Sequence, residues 1–380
     1  MSETEPTQPL IPANLPESVA DVRQKGDAVG SAPKQSSSAG ELKRSFDSEE
    51  ELERRQYRYY QRRQLRTSIT LFLLTCLSTF VVGASFVPLE YLLTMLLPRY
   101  QWFVRFHLGG ASLEDWLAEA SWRGFTYSAP LMSILLFHEM GHFLQSVRYR
   151  IPASFPYFIP MPLSVPGTMG AVIFQQQGKA TRRQLFDIAV SGPLAGLIVI
   201  IPVLYYGLTL PTDPAHPSVP LFARPLLIKW MVYWIHGPQS LPDTFINPVY
   251  LAGWFGVLVT SMNLLPIGQL DGGHILYALI GRKSHFVAYL IAAVAIYGMI
   301  FQQNFTFTAL LLLLFMTGLK HPPTENDKEP LGLTRHIIGW LTLGFLFIGL
   351  MPTPIQTQKP DAQEIEIPLP NQMQEVPDEV

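Results

Sequence analysis

The chain has 380 residues, is 48% hydrophobic and 15% charged, and carries a formal net charge of −2. A charged fraction this far below the roughly 25% of a soluble domain, with apolar residues gathered into long runs, excludes an ordinary soluble fold and predicts an all-α, polytopic helical membrane protein. A single cysteine, Cys76, excludes an intramolecular disulfide and any cysteine-only zinc site.

Residues 1–50, rich in Pro, Ser, Glu and Gln, have the composition of a disordered tail and lack the layout of a signal or transit peptide. The basic, tyrosine-interleaved stretch 51–66 leads directly into an apolar run. It therefore reads as a juxtamembrane segment holding the N-terminus in the cytoplasm, not as a nucleic-acid contact. A first span is expected over 67–87, followed by an external loop, 88–123, in which Trp102, Trp116 and Trp122 suggest an interfacial helix.

The second span, 124–147, contains His138-Glu139-Met140-Gly141-His142. This is H-E-x-x-H: on a helix the two imidazoles stack one turn apart and reach one metal ion, and Glu139 lies beside them, placed to take a proton from the attacking water. Arg148 and Arg150 close this span on the cytoplasmic side, so the two histidines lie about 9 and 15 Å inside the helix end. Ionisable groups at that depth are expensive and point to function.

Five prolines between Pro152 and Pro166 forbid a helix there, yet the segment stays apolar. Residues 167–174 read as a short strand or re-entrant hairpin against the site. Further spans are expected over 185–207, from 248 to 280, and over 286–301, 305–319 and 335–351, giving about seven. Ser191-Gly-Pro-Leu-Ala-Gly196 in the third allows close helix packing. The loop 208–247 is external, with a partly interfacial piece from Leu226 to Ile235. Five regions result: a tail with its basic segment, 1–66; the first span and external loop, 67–123; a catalytic core, 124–320; a cytoplasmic loop and last span, 321–351; and a disordered acidic tail, 352–380.

A catalytic zinc takes three protein ligands and leaves one position open. No glutamate lies between Glu139 and Glu325, and the positions of the extended three-histidine motif hold Gln145 and Arg148. Of the aspartates in that interval, Asp213 and Asp243 fall in external segments and Asp187 adjoins a basic cluster. Asp271 lies in an apolar stretch about eleven residues before Arg282, at the depth of the histidines, with Pro266, Gly268, Gly272 and Gly273 breaking the helix around it. His274 is the weaker ligand candidate.

With His138-Glu139-x-x-His142 in one span and Asn263-x-x-Pro266-x-x-x-Leu270-Asp271-Gly272 in a later one, the chain resembles the site-2 protease family of intramembrane zinc metalloproteases. The resemblance covers about 125–320. It implies Zn2+ held by His138, His142 and Asp271, Glu139 as general base, and a polar substrate contact from Asn263; separately, the segment 167–174 around Gly170 is suited to pair with an extended substrate peptide by strand addition. The resemblance also implies cleavage in or near transmembrane segments of other membrane proteins. A catalytically silent adaptor of the same fold is the competing expectation. A bacterial plasma membrane, with no nucleic-acid partner, is the expected setting; the oligomeric state is left open.

Overall fold

The computed structural model describes residues 38–85, 113–176, 178–212, 224–237, 246–302 and 318–350. Most of the expected span 305–319, most of the external loop 88–123, and the tails 1–37 and 351–380 lie outside these residues. The described chain is mostly helical, with a single hairpin: α1 (Ser38–Ser85), α2 (Leu113–Arg148), β1 (Tyr157–Pro160), β2 (Thr168–Val172), α3 (Arg182–Thr209), α4 (Leu226–His236), α5 (Pro248–Asn263), α6 (Asp271–Ile280), α7 (Ser284–Gln302) and α8 (Leu333–Gly349).

Two helices start earlier than composition suggests. Helix α1 begins at Ser38, inside the stretch expected to be disordered, because the Glu-, Leu- and Arg-rich run 41–66 is made of good helix formers. Helix α2 begins at Leu113, so the expected interfacial helix is the first part of the motif helix itself, with Glu114 and Asp115 favourably placed in its first turn.

Among the described residues, three helical stretches are long and apolar enough to cross a bilayer: Gln61–Ala84, Arg182–Thr209 and Asp271–Gly298. Helix α8 is apolar but shorter. Helix α2 is not among the three, since Pro130, His138, Glu139 and His142 dilute its apolar run. The third stretch is not one straight rod. Gly281 closes α6 with φ 64° and ψ −143°, a conformation open to glycine, and the 3-10 turn Gly281–Lys283 leads into α7. Arg282 and Lys283 thus stand at a corner between two helices.

Helix α2 packs on α1, α3 and α5. Tyr127, Leu131 and Ile134 of α2, Ile200 and Leu204 of α3, and Trp254 of α5 are essentially inaccessible and form the centre of the core. Local signals fix the helix starts. Thr181 and Gln184 form a reciprocal capping box at α3. Asn247 caps α5 ahead of Pro248, accepting from the Tyr250 N–H at 2.9 Å and donating to the Gly207 carbonyl at 2.7 Å.

The strands pair antiparallel, Tyr157 with Val172 and Phe158 with Ala171, and the register shifts before Pro160 meets Thr168. The hairpin lies along α1. Ser68 Oγ donates to the Pro156 carbonyl and Ser78 Oγ to the Gly167 carbonyl, each at 2.6 Å, and Phe158 meets Phe72 edge-on at 5.1 Å. Ser68 and Ser78 are ten residues apart, so the hairpin follows α1 for about 15 Å.

Candidate metal centre

His138 and His142 face the same side of α2, their ring centroids 5.0 Å apart. Helix α5 ends at Asn263, the chain turns through Pro266 and Gly268, and α6 opens on Asp271. The glycines at 272 and 273 are not breakers. They lie in the first turn of α6, where a β-carbon would collide with the Leu264 and Gly268 carbonyls, so they let the preceding turn fold tightly over the helix that carries Asp271.

This turn brings Asp271 Oδ2 to 3.1 Å from His138 Nε2 and 3.2 Å from His142 Nε2, with the two nitrogens 3.3 Å apart. The three atoms form a nearly equilateral triangle. Tetrahedral zinc bonds of about 2.0–2.1 Å place neighbouring ligand atoms about 3.3–3.4 Å apart. The triangle is therefore close to one face of such a site, and these three residues could hold a single ion. Hydrogen bonding alone explains the arrangement poorly, because two ring nitrogens converge on each other as well as on one oxygen. A cation in front of all three resolves the convergence, and two imidazoles with one carboxylate suit zinc in donor type.

The surroundings orient the donors. His142 Nδ1 lies 2.8 Å from the Ile188 carbonyl of α3, which can only accept; the proton is thereby placed on Nδ1 and the Nε2 lone pair points into the triangle. A β-carbon on Gly192 would sit inside the His142 ring, and one on Gly196 would come within 3.2 Å of His138 Nδ1. The small residues of α3 thus make room for imidazoles as well as for a neighbouring helix. Glu139 is 6% exposed and lies within electrostatic reach of both histidines and of Asp271. The Asn263 amide nitrogen is 3.3 Å from His138 Nε2.

Three other residues named from sequence stand apart. Gly170 is buried in β2 with φ 89°, its N–H donating to Thr168 Oγ1 at 3.0 Å, and it makes no hydrogen bond to the triangle. His274, one turn beyond Asp271, approaches His321 Nε2 with its Nδ1 at 2.5 Å. Asp187 is held by Arg335 at 2.8 and 2.9 Å and by the Tyr149 hydroxyl at 2.5 Å.

Sequence reasoning missed the strap formed by residues 320–331, which folds back over α6. His321 stacks on Tyr277 with centroids 4.3 Å apart, Tyr277 donates to Asp327 Oδ2 at 2.9 Å, and the Glu325 N–H reaches the Ala180 carbonyl at 3.0 Å. Arg182 and Arg183, read as topology signals, hydrogen-bond the Glu329 and Pro330 carbonyls of the same strap. No local pattern reports pairings between residues this far apart in the chain.

Residues 126–302 match peptidase family M50. The match supports the resemblance to the site-2 protease family that the two motifs carry. The chain is 35% identical over 164 residues to a rice (Oryza sativa subsp. japonica) protein named "Probable zinc metalloprotease EGY1, chloroplastic", covering 41% of this chain and 28% of that protein. It is 30% identical over 232 residues to the Arabidopsis thaliana protein of the same name, covering 58% and 42%. It is 26% identical over 262 residues to the rice (subsp. indica) "Probable zinc metalloprotease EGY3, chloroplastic", covering 64% and 44%. The chain spans less than half the length of these relatives. The family match contains the motif-bearing part of α2, the hairpin, α3 and the α5–α6 turn, and so every residue of the triangle.

Proposed function

We propose that this chain is a zinc endopeptidase of the membrane that hydrolyses peptide bonds in or near transmembrane segments of other proteins. The observation that carries the reading is the triangle of His138, His142 and Asp271 with Glu139 buried beside it. The plant relatives, named as probable zinc metalloproteases, support the choice of metal.

In this reading His138, His142 and Asp271 hold the zinc. When bound, the ion supplies Lewis acidity at the scissile carbonyl and lowers the pKa of the attacking water. Glu139 takes the proton of that water and passes it to the leaving amine. Asn263 offers its amide to the substrate carbonyl at the open side of the triangle. The hairpin presents the peptide. The far edge of β2 has no partner strand among the described residues, and Met169 and Val172 stand exposed along it. An unwound substrate segment could add there as a further strand, with Gly170 keeping the backbone approach free of a side chain.

The 15 Å run of the hairpin beside α1 supports a re-entrant placement at membrane depth, tolerated because the irregular backbone rests on protein. The seven-span arrangement is part of the proposal. It puts the N-terminus on the cytoplasmic side of a bacterial plasma membrane, on the strength of Arg62, Arg63 and Arg66 flanking α1 and Arg282 and Lys283 at the α6–α7 corner. The relatives are named chloroplastic, so fractionation of the native cell decides which membrane houses the chain. A silent adaptor is disfavoured by a complete donor set with its glutamate intact.

The test is Glu139→Gln in the purified full chain. It should keep one zinc per protein and the wild-type melting temperature while cleavage of a transmembrane substrate falls by about 10²–10⁴-fold. Cleavage at the wild-type rate by this variant would remove Glu139 from the mechanism.

A further inference from the structure

A cavity of about 340 Å³ opens at the far end of α6 from Asp271, lined by Arg182, Tyr277, Gly281, Arg282, Asp327 and Lys328. Three of these residues are cations and one is an acid. The acid is already engaged: Asp327 Oδ2 accepts from the Tyr277 hydroxyl at 2.9 Å, and Oδ1 accepts from the Thr324 N–H at 3.1 Å and its hydroxyl at 2.6 Å. Arg182 is only partly engaged. Its Nε donates to the Ala278 carbonyl at 2.6 Å and its two terminal nitrogens to Leu279 and Glu329 carbonyls at 3.1 and 3.4 Å, which uses three of its five N–H donors. Helices α3 and α7 begin near the cavity, at Arg182 and Ser284, and their positive ends offset the negative C-terminal end of α6, whose last carbonyls Arg182 already binds. The cavity therefore carries an excess of positive charge and free donors, the chemistry that takes a phosphate group.

We propose that this cavity binds the phosphate of an anionic phospholipid headgroup. The site lies at the α6–α7 corner, and the outer face of α7 leading away from it is apolar. Phe286, Leu290 and Val294, four residues apart along one side of the helix, are 73%, 55% and 56% exposed. A headgroup in the cavity lays its acyl chain along this stripe, which a soluble phosphate does not need. The inference rests on the membrane placement of the core, not on its proteolytic activity. It also gives the lipid a structural consequence: Arg182 bonds the last carbonyls of the helix whose first residue is Asp271, and the same guanidinium ties that helix to the strap. An occupied cavity steadies both.

The test is binding of phosphatidylglycerol and phosphatidylcholine to the purified full chain, read by native mass spectrometry, with glycerol 3-phosphate as a competitor that lacks acyl chains. The expected result is one retained phosphatidylglycerol, preferred over phosphatidylcholine. The double variant R282Q/K328Q, at two exposed side chains, should lose about ten- to thirty-fold of that preference and the single variant K328Q a smaller part of it. The variant K283Q makes the same charge change just outside the cavity and should keep the preference. An unchanged preference in both R282Q/K328Q and K328Q overturns the site, as does an equal loss in K283Q. Competition by glycerol 3-phosphate as strong as by the intact lipid overturns the lipid assignment in favour of a soluble phosphate. Because the readout is binding, a failure here is distinct from a failure of the peptidase reading.

Discussion

Gly192 of α3 stands against the His142 imidazole so closely that a β-carbon would occupy the ring. Together with the Ile188 carbonyl on Nδ1, this contact sets where the ring lies and which nitrogen faces Asp271. Gly192→Ala should push the ring out of the triangle and weaken zinc binding by about 10- to 100-fold, the usual cost of disturbing a group that orients a ligand. Gly344→Ala in α8 is the control: its β-carbon would meet nothing within 4 Å, and the gain in helix propensity should leave stability equal or slightly raised. A chelator-competition titration reads the zinc affinity of both variants, and thermal unfolding reads the stability of the control. Equal zinc affinity in wild type and Gly192→Ala would show that the ring can be seated without the glycine.

Asp271 and His274 make a paired prediction. Asp271 Oδ2 sits within 3.2 Å of both histidine nitrogens, whereas His274 turns to His321. Asp271→Asn should lower zinc per protein sharply, because it removes the one anionic donor of the set. His274→Ala should keep the metal and loosen the strap. Metal analysis of the two purified variants decides. Full occupancy in Asp271→Asn with loss in His274→Ala would reverse the assignment.

Much of the triangle was legible because its signals are local or scarce. Two histidines four apart on a helix share a face whatever the tertiary fold, and the stretch after Glu139 offers few carboxylates to join them. The hairpin was legible from prolines and β-branched residues, although its course along α1 depends on Ser68 and Ser78, whose partners lie 88 and 89 residues away. The glycines of α3 announced close approach without naming what approaches. The strap was illegible, since its polar composition matches any loop and its value lies in Tyr277, His274 and Arg182 on other elements. Asp187 shows the same limit. Its basic neighbours Arg182 and Arg183 suggested the partner, yet the carboxylate turns to Arg335, 148 residues on.

That ion pair yields a stability prediction. Arg335 meets both oxygens of Asp187, fastening the start of α8 to α3, and Tyr149 brings in the end of α2. The geometry is bidentate and the carboxylate is mostly buried, but the guanidinium remains about one third exposed, which screens part of the attraction. Asp187→Ala should cost about 1–2 kcal/mol, less than a fully buried pair and more than a surface one. Thermal or denaturant unfolding in one fixed detergent measures it, with zinc content unchanged. A variant as stable as wild type would mean that α8 is held by packing alone.

The strap should respond to acid through His321. Its ring is buried, stacked on Tyr277, with Nδ1 2.5 Å from the Pro322 carbonyl and Nε2 facing His274. Burial, reinforced by repulsion from His274, pushes its pKa down from the ordinary 6.5 to about 3. A base with a depressed folded pKa is protonated first in the opened strap, so the closed form is favoured fully above pH 6.5 and loses ground as pH falls from about 6.5 towards 3. At pH 5 the shift amounts to at most about 2 kcal/mol against the closed strap. The Glu325 N–H, bonded to the Ala180 carbonyl, reports the change. Its hydrogen-exchange protection factor, corrected for intrinsic rate, should drop between pH 7.5 and pH 5. His321→Phe keeps an aromatic ring against Tyr277 but cannot take up the proton, and should flatten the dependence. A protection factor equal at the two pH values in wild type, or an equal drop in His321→Phe, would show that the strap is not governed by this histidine.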